Sequence, residues 1–122
     1  MRLVLDTDPQ VLTVRSYASG EIDIAGQKIH APCIVSAGQL ITDWPVASPA
    51  ALDLPALAPA LALSPSLVLI GTDATDVVGA SALRRALEAR GVGFEVMNLG
   101  AACRTYNVLV QERREVVAGL FP

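Results

Sequence analysis

Hydrophobic and polar positions change rhythm near Pro65. Before it, residues 11–36 read as extended chain. Val11, Thr13 and Arg15 alternate with Leu12 and Val14, and Glu21-Ile22-Asp23-Ile24 alternates acidic with apolar. Ala18-Ser19-Gly20 and Ala25-Gly26-Gln27 are short breaks suited to hairpin turns, after which Lys28-Ile29-His30 resumes the alternation. Cys33-Ile34-Val35 then continues either as a further buried strand or as the end of the same meander. Residues 36–66 form a connector punctuated by Pro45, Pro49, Pro55, Pro59 and Pro65. It is expected to hold one short or kinked helix with Pro55 in its first turn, Leu54, Leu57 and Leu61 on one face, Pro59 straining the next turn, and an end near Leu63. Trp44, beside Pro45, is expected to cover one end of the core.

After Pro65 the pattern becomes that of an α/β protein. Leu67-Val68-Leu69-Ile70 is a continuous apolar run closed by Gly71, as a strand covered on both faces requires. Ser81 is positioned to cap a helix that turns Leu83 and Leu87 inward, pairs Arg84 with Glu88 and ends at Gly91. Phe94-Glu95-Val96-Met97 is the next strand, at a distance suited to a right-handed parallel crossover. Asn98-Leu99-Gly100 turns the chain into a second helix, from about Ala101 to Arg113, with Ala102, Tyr106, Leu109 and Val110 as its buried stripe. Val116-Val117-Ala118-Gly119-Leu120-Phe121 makes a last apolar strand.

Composition narrows the function classes. The 122 residues suit one domain spanning 1–122, and 52% apolar against 17% charged residues places the chain among folded proteins. A net charge of −3 offers no footprint for nucleic acid. Arg84, Arg85 and Arg90, then Arg113 and Arg114, are interleaved with Glu88, Glu112 and Glu115 and read as solvated helix faces. Cys33 and Cys103 form no Cys-x-x-Cys and His30 is the single histidine, so neither a metal site nor a cofactor is expected. Met1-Arg2-Leu3-Val4-Leu5-Asp6 lacks the features of a secretory signal. The apolar stretch from Leu54 to Leu63 is interrupted by two prolines, and no membrane span is expected. Free thiols and these absences suggest the cytoplasm.

Candidate chemistry gathers at the two strand-to-helix turns, because ligands of open α/β sheets bind beyond the carboxyl ends of the strands. One turn supplies Gly71, Thr72, Asp73 and Asp76. The other supplies Asn98, Cys103, Arg104, Thr105 and Asn107. Placed in the first helical turn beside Arg104, Cys103 would be a thiol of lowered pKa; alternatively it is a small buried residue. No histidine neighbours it in sequence, and His30 could approach only through folding. Arg104, Thr105 and Asn107, with the helix amides, could hold a small anion, or the two neutral side chains could satisfy the turn's own backbone. Tyr106 reads as core with a hydrogen-bonded hydroxyl. No phosphate loop follows Gly71, and Asp73 and Asp76 would repel phosphate.

Several of these residues also carry a resemblance. Tyr17 with Gly20 and Ile22, Trp44-Pro45, Leu69-Ile70-Gly71-Thr72, Gly91-Val92-Gly93-Phe94-Glu95-Val96-Met97, and above all Ala101-Ala102-Cys103-Arg104-Thr105-Tyr106-Asn107 with Leu109 and Glu112 make nearly the whole chain similar to the small Mth-domain family of uncharacterised α/β proteins. That family includes an adipogenesis-associated protein and a mitochondrial complex I assembly factor. The resemblance implies a three-layer α/β fold: a mixed central sheet, packed helices and an added N-terminal β layer. It implies no assigned reaction. It favours a non-enzymatic protein-binding or assembly role with an unidentified protein partner, ahead of a thiol enzyme or redox sensor at Cys103 or a small-anion or metabolite binder. Four positions depart from the family pattern: Asp73 stands in place of Gly, Asn98-Leu99 in place of Asp-Thr, and Arg113 in place of Gly. The loss of an acid at position 98 weakens acid/base chemistry there.

Overall fold

A computed structural model describes residues 11–74 and 79–122. Asp76 and the stretch from Met1 to Asp6 lie outside the described residues. The alternating N-terminal segment forms β1 (Val14–Ala18), β2 (Glu21–Ile24) and β3 (Gln27–Ile29), paired antiparallel as a three-stranded sheet. The second hairpin turn is Ala25-Gly26, both at positive φ (53° and 96°), the conformation that follows the twist of a two-residue hairpin. Asp23 accepts the Gly26 N–H at 2.8 Å and closes it.

The two readings of Cys33-Ile34-Val35 resolve in favour of a separate strand. β4 (Cys33–Val35) leaves the meander and pairs antiparallel with the C-terminal strand β8 (Val116–Leu120) and with the short β5 (Leu40–Ile41). β6 (Leu67–Gly71) and β7 (Gly93–Met97) complete a five-stranded mixed sheet of order β5-β4-β8-β6-β7, in which β8, β6 and β7 run parallel. The chain steps outward from β6 to β7 through helix α2 (Ala80–Glu88), then back past β6 to β8 through helix α3 (Leu99–Gln111). Right-handed crossovers in opposite directions put the two helices on opposite faces of the sheet.

Each face has its own core. Leu69, Val116, Ala118 and Leu120 meet α3 and the three-stranded sheet, joined by Ile22, Ile24, Cys33, Cys103 and Tyr106. Val68, Ile70, Val117 and Phe121 meet Leu83 and Leu87 of α2 and the connector residues Trp44, Leu52 and Leu57. Successive strand residues point to opposite faces, so the continuous apolar runs serve both cores. The result is the expected three-layer arrangement with a mixed sheet and an N-terminal β layer.

Local expectations are corrected in four places. The connector helix α1 is Ala58–Leu61, preceded by a short helical turn at Pro49–Ala51. Pro59 sits in its first turn, where an N–H is not needed, rather than straining a longer helix that begins at Pro55. Ser81 lies inside α2, whose N-cap is Gly79 at φ 80°. Arg84 does not pair with Glu88. It reaches the edge strand β7, donating from Nε to the Phe94 carbonyl at 3.1 Å and lying 3.8 Å from the Glu95 carboxylate, because an edge carbonyl has no strand partner on that side. Finally, α3 begins at Leu99, two positions earlier than the apolar pattern indicates. Trp44 does close one end of the core: its indole N–H donates to the Ala56 carbonyl at 2.8 Å, and its ring lies 5.3 Å from that of Phe121.

Both long helices end in the same device. After α2, the Val92 N–H bonds the Leu87 carbonyl and the Gly91 N–H bonds the Glu88 carbonyl, with Gly91 at φ 76°. After α3, Arg114 bonds Leu109 and Arg113 bonds Val110, but the left-handed residue is Arg113, at φ 61°. A side chain in that conformation costs about 1 kcal/mol. Arg113→Gly is therefore expected to stabilise the protein by up to about 0.5 kcal/mol after the added flexibility of glycine is offset. Urea denaturation checks this: the midpoint should rise with an unchanged slope.

Candidate functional site

The parallel register of β6 and β7 brings the two strand-to-helix turns together, as expected. Their polar groups, however, bond to one another and to the backbone. Asn98 is the N-cap of α3 and accepts the Ala101 N–H at 2.8 Å, while Asp73 reaches from the neighbouring turn to accept the Leu99 N–H at 3.1 Å. Two of the orphan amides at that helix start are thus satisfied within the protein. Buried Thr72 accepts the Ala74 N–H at 3.0 Å and holds the first turn. The departures Asp73 and Asn98 accordingly serve as capping groups, and an amide at position 98 caps as well as a carboxylate would.

Gly71 is required by proximity. A methyl built on it would lie 2.7 Å from Ala102 Cβ and 2.9 Å from Leu120 Cδ2, so the absence of a side chain lets α3 press onto the sheet. The stripe facing the sheet is Leu99, Ala102, Cys103, Tyr106 and Val110; Leu109 is only half-buried. Because α3 starts at Leu99, Cys103 falls in the second turn, past the strongest part of the dipole field. It is 1% exposed. Burial pushes its thiol up to about 11 against the opposing pull of Arg104, with Asp73 adding to the rise. Cys33, in the same core, is pushed up to about 12 by burial and by Cys103. The lowered-pKa reading of Cys103 is thereby corrected: desolvation outweighs the neighbouring guanidinium. His30 does not approach it and bonds Glu21 at 3.0 Å instead.

Asn107 and Tyr106 fasten the N-terminal layer to α3. The Asn107 amide accepts the Val14 N–H at 2.9 Å and donates to the Val14 carbonyl at 2.7 Å, and the Tyr106 hydroxyl donates to the Leu12 carbonyl at 2.7 Å. Tyr17 lies over the start of the same helix: a methyl on Gly100 would come within 2.7 Å of its ring. Arg104 is exposed, donates from Nη1 to the Tyr17 hydroxyl, and holds its guanidinium carbon 5.8 Å from the Tyr17 ring centre. Thr105 is half-buried on the helix.

Two depressions result. One, of about 320 Å³, is lined by Thr72 and Asp73 with Ser19, Gly20, Ser48 and Pro122. The other, of about 370 Å³, is lined by Cys103, Arg104 and Asn107 with Arg15, Ser16 and Tyr17. The β1–β2 hairpin supplies a wall to each, and Gly71, Asn98 and Thr105 line neither. The candidate residues therefore divide between two places. Arg15 escaped the sequence reading because nothing local links it to Arg104; Tyr17 and Arg104 are themselves 87 residues apart. A larger cavity, of about 450 Å³, lies at the opposite end of the sheet among Val11, Leu63, Pro65, Val110, Arg113 and Arg114, away from these groups. Among the described residues, no cluster of His, Cys, Asp or Glu is arranged to hold a metal ion, and no helix is long and apolar enough to cross a membrane.

Two outcomes follow from this geometry. Gly71→Ala is expected to destabilise the protein by about 1–3 kcal/mol, measured by chemical denaturation, because a methyl must displace helix or sheet. At pH 8 a thiol titrating near 11 is about one part in a thousand thiolate. Cys103 and Cys33 should thus resist alkylation until denaturant is added. Their folded pKa values lie above the ordinary thiol value, so the stabilisation is intact below pH 9 and is lost as pH rises toward 11–12. The loss should be about 1 kcal/mol per pH unit for each thiol, and Cys33→Ala with Cys103→Ala should flatten that alkaline limb.

Comparison with known proteins accords with this architecture. Over 116 residues the chain is 32% identical to NADH dehydrogenase (ubiquinone) 1 alpha subcomplex assembly factor 3 of Xenopus tropicalis, covering 93% of this chain and 62% of the relative. The Mus musculus protein of the same name is 30% identical over 117 residues, with the same coverage. The chain thus spans about three-fifths of the length of these relatives. A crystal structure of a Bordetella parapertussis protein matches with a TM-score of 0.80 at 34% identity, covering 92% of this chain and 96% of that one. A solution structure from Bordetella pertussis, described as a Mth938-like domain, matches with a TM-score of 0.80 at 28% identity, covering 100% and 92%. The family model described as a protein of unknown function (DUF498/DUF598) matches residues 14–121, from the first strand of the N-terminal layer to the close of the central sheet, and the chain belongs to that family.

Proposed function

We propose that this protein is a non-enzymatic binding component that engages a protein partner during assembly of a larger complex. The observation that carries the reading is the similarity, along 93% of the chain, to proteins named as assembly factors. The state of the crevice supports it: Asp73, Asn98, Asn107 and Thr72 are engaged in bonds that hold the fold, and the thiol of Cys103 is buried and protonated at neutral pH. Two buried free thiols suit a reducing compartment such as the cytoplasm.

Affinity purification of the full chain from its native cell at physiological salt, followed by mass spectrometry, should recover one reproducible partner. Repeated failure with a bait shown to be folded by circular dichroism would overturn the reading.

A further inference from the structure

Among the described residues, the two sheets end in the edge strands β1, β3, β5 and β7. An edge strand offers unpaired N–H and C=O groups to any extended chain, and its usual safeguards are shortness, charge, a bulge or a cover. β5 is two residues long, and β3 is three residues with Lys28 at its centre. β1 is bulged between Val14 and Ser16, and Asn107 bonds both backbone groups of Val14. β7 is neither short nor bulged. It runs five residues in unbroken parallel register with β6, and Gly93-Phe94-Glu95-Val96-Met97 holds no proline and one charged residue, Glu95.

The Gly93 N–H donates to the Ser66 carbonyl at 2.9 Å, and the Met97 carbonyl accepts the Thr72 N–H at 3.0 Å. Alternate residues of a strand bond to the same neighbour, so Gly93, Glu95 and Met97 turn their backbone toward β6, and Phe94 and Val96 turn theirs outward. These outward groups are self-complementary. A second copy laid antiparallel about a two-fold axis at Glu95 would set Phe94 of each chain opposite Val96 of the other, where they could exchange paired hydrogen bonds. Two features oppose that pairing. The Arg84 Nε already donates to the Phe94 carbonyl at 3.1 Å, so half of the bonds of such a ladder lose their acceptor. Glu95 would also stand directly opposite Glu95 of the second copy, in a closely spaced pair where like charges repel. Both faces of the sheet contribute. Phe94 belongs to the core under α2, so Glu95 leaves the opposite face. Arg84 rises from α2, holds its guanidinium carbon 6.0 Å from the Phe94 ring centre, and extends past the edge to within 3.8 Å of the Glu95 carboxylate. It therefore crosses the edge where an incoming strand would lie. So exposed an ion pair stabilises a fold little, whereas blocking a ladder needs only position.

We propose that Arg84 and Glu95 guard β7 against pairing with β7 of a second copy of this chain, Arg84 by occupying the Phe94 carbonyl and Glu95 by opposing itself across the two-fold axis. With both groups in place the edge stays unpaired. With both removed, the outward backbone of Phe94 and Val96 is matched by that of a second copy.

Sedimentation of the full chain over a range of concentrations tests this, with circular dichroism to establish folding. Arg84→Met keeps an unbranched stem over Phe94 and removes the donor, and Glu95→Thr removes the charge while suiting an exposed strand position. The double variant should dimerise at least about tenfold more tightly than wild type, since ladder bonds are restored and a repulsion is removed. Hydrogen exchange locates the contact. The Phe94 and Val96 amides should exchange rapidly in wild type and at least about tenfold more slowly in the dimer of the double variant. A folded double variant that sediments as wild type does would overturn the guard. Association that leaves exchange at Phe94 and Val96 unchanged would also overturn it, because the contact then lies elsewhere. Wild type found already paired, with both amides protected, would overturn it too. If Arg84→Met fails to fold, Glu95→Thr alone carries the test: association severalfold above wild type supports the guard, and association equal to wild type overturns it.

Discussion

The close approach of α3 to the central sheet at Gly71 is the constraint on which the remaining geometry depends. With 2.7 Å between Ala102 Cβ and the place a methyl on Gly71 would occupy, the helix has one available depth. That depth places Asn98 and Asp73 where they can cap its first amides, and it lets Tyr106 reach back to Leu12 and Asn107 to Val14. The N-terminal sheet is thus attached to the helix as much as to the strands beneath. Tyr17 then closes over Gly100 and meets Arg104. A small residue in a strand and another at a helix start are therefore parts of one packing arrangement that runs through all three layers.

Seen through that arrangement, the family stretch from Ala101 to Asn107 acquires a structural meaning for nearly every residue. Ala102 fits under Gly71, Cys103 and Tyr106 fill the core, and Asn107 clamps β1. Arg104 alone of the polar residues turns its charge outward, toward Tyr17 and the depression. The departures from the family pattern are equally physical. Asp73 and Asn98 supply acceptors to backbone donors at the start of α3, and Arg113 occupies a left-handed position that glycine would occupy without strain. None of the three places a free acid or base in the crevice.

The chemistry therefore moves from the buried side of α3 to its exposed side. A thiol beside an arginine looks reactive when only the order of residues is known, since the arginine's charge favours the thiolate. In the folded protein desolvation dominates and the thiol stays protonated. The guanidinium that fails to activate Cys103 is instead exposed to solvent, held against the hydroxyl and ring of Tyr17.

Much of the fold was legible in the amino-acid order because its causes are local. Alternation in β2, the unbroken apolar runs of β6 and β8, the positive-φ glycine that ends α2, and the period of α3 each depend on neighbours a few residues away. The start of α3 was misplaced because its caps come partly from elsewhere: the apolar stripe gives no sign that Asp73 will accept from Leu99. Arg84 was misread for the same reason, since an unpaired edge carbonyl exists only once the strand order is known. What the sequence determined by itself was the set of elements, the two-sided burial of the strands and the neighbourhood of the candidate site, all carried by periodicity and turn residues. What only the tertiary structure decided was which side chains are buried and which face solvent together, because burial of Cys103 and the meeting of Tyr17 with Arg104 are set by the depth at which α3 packs and the strand it clamps.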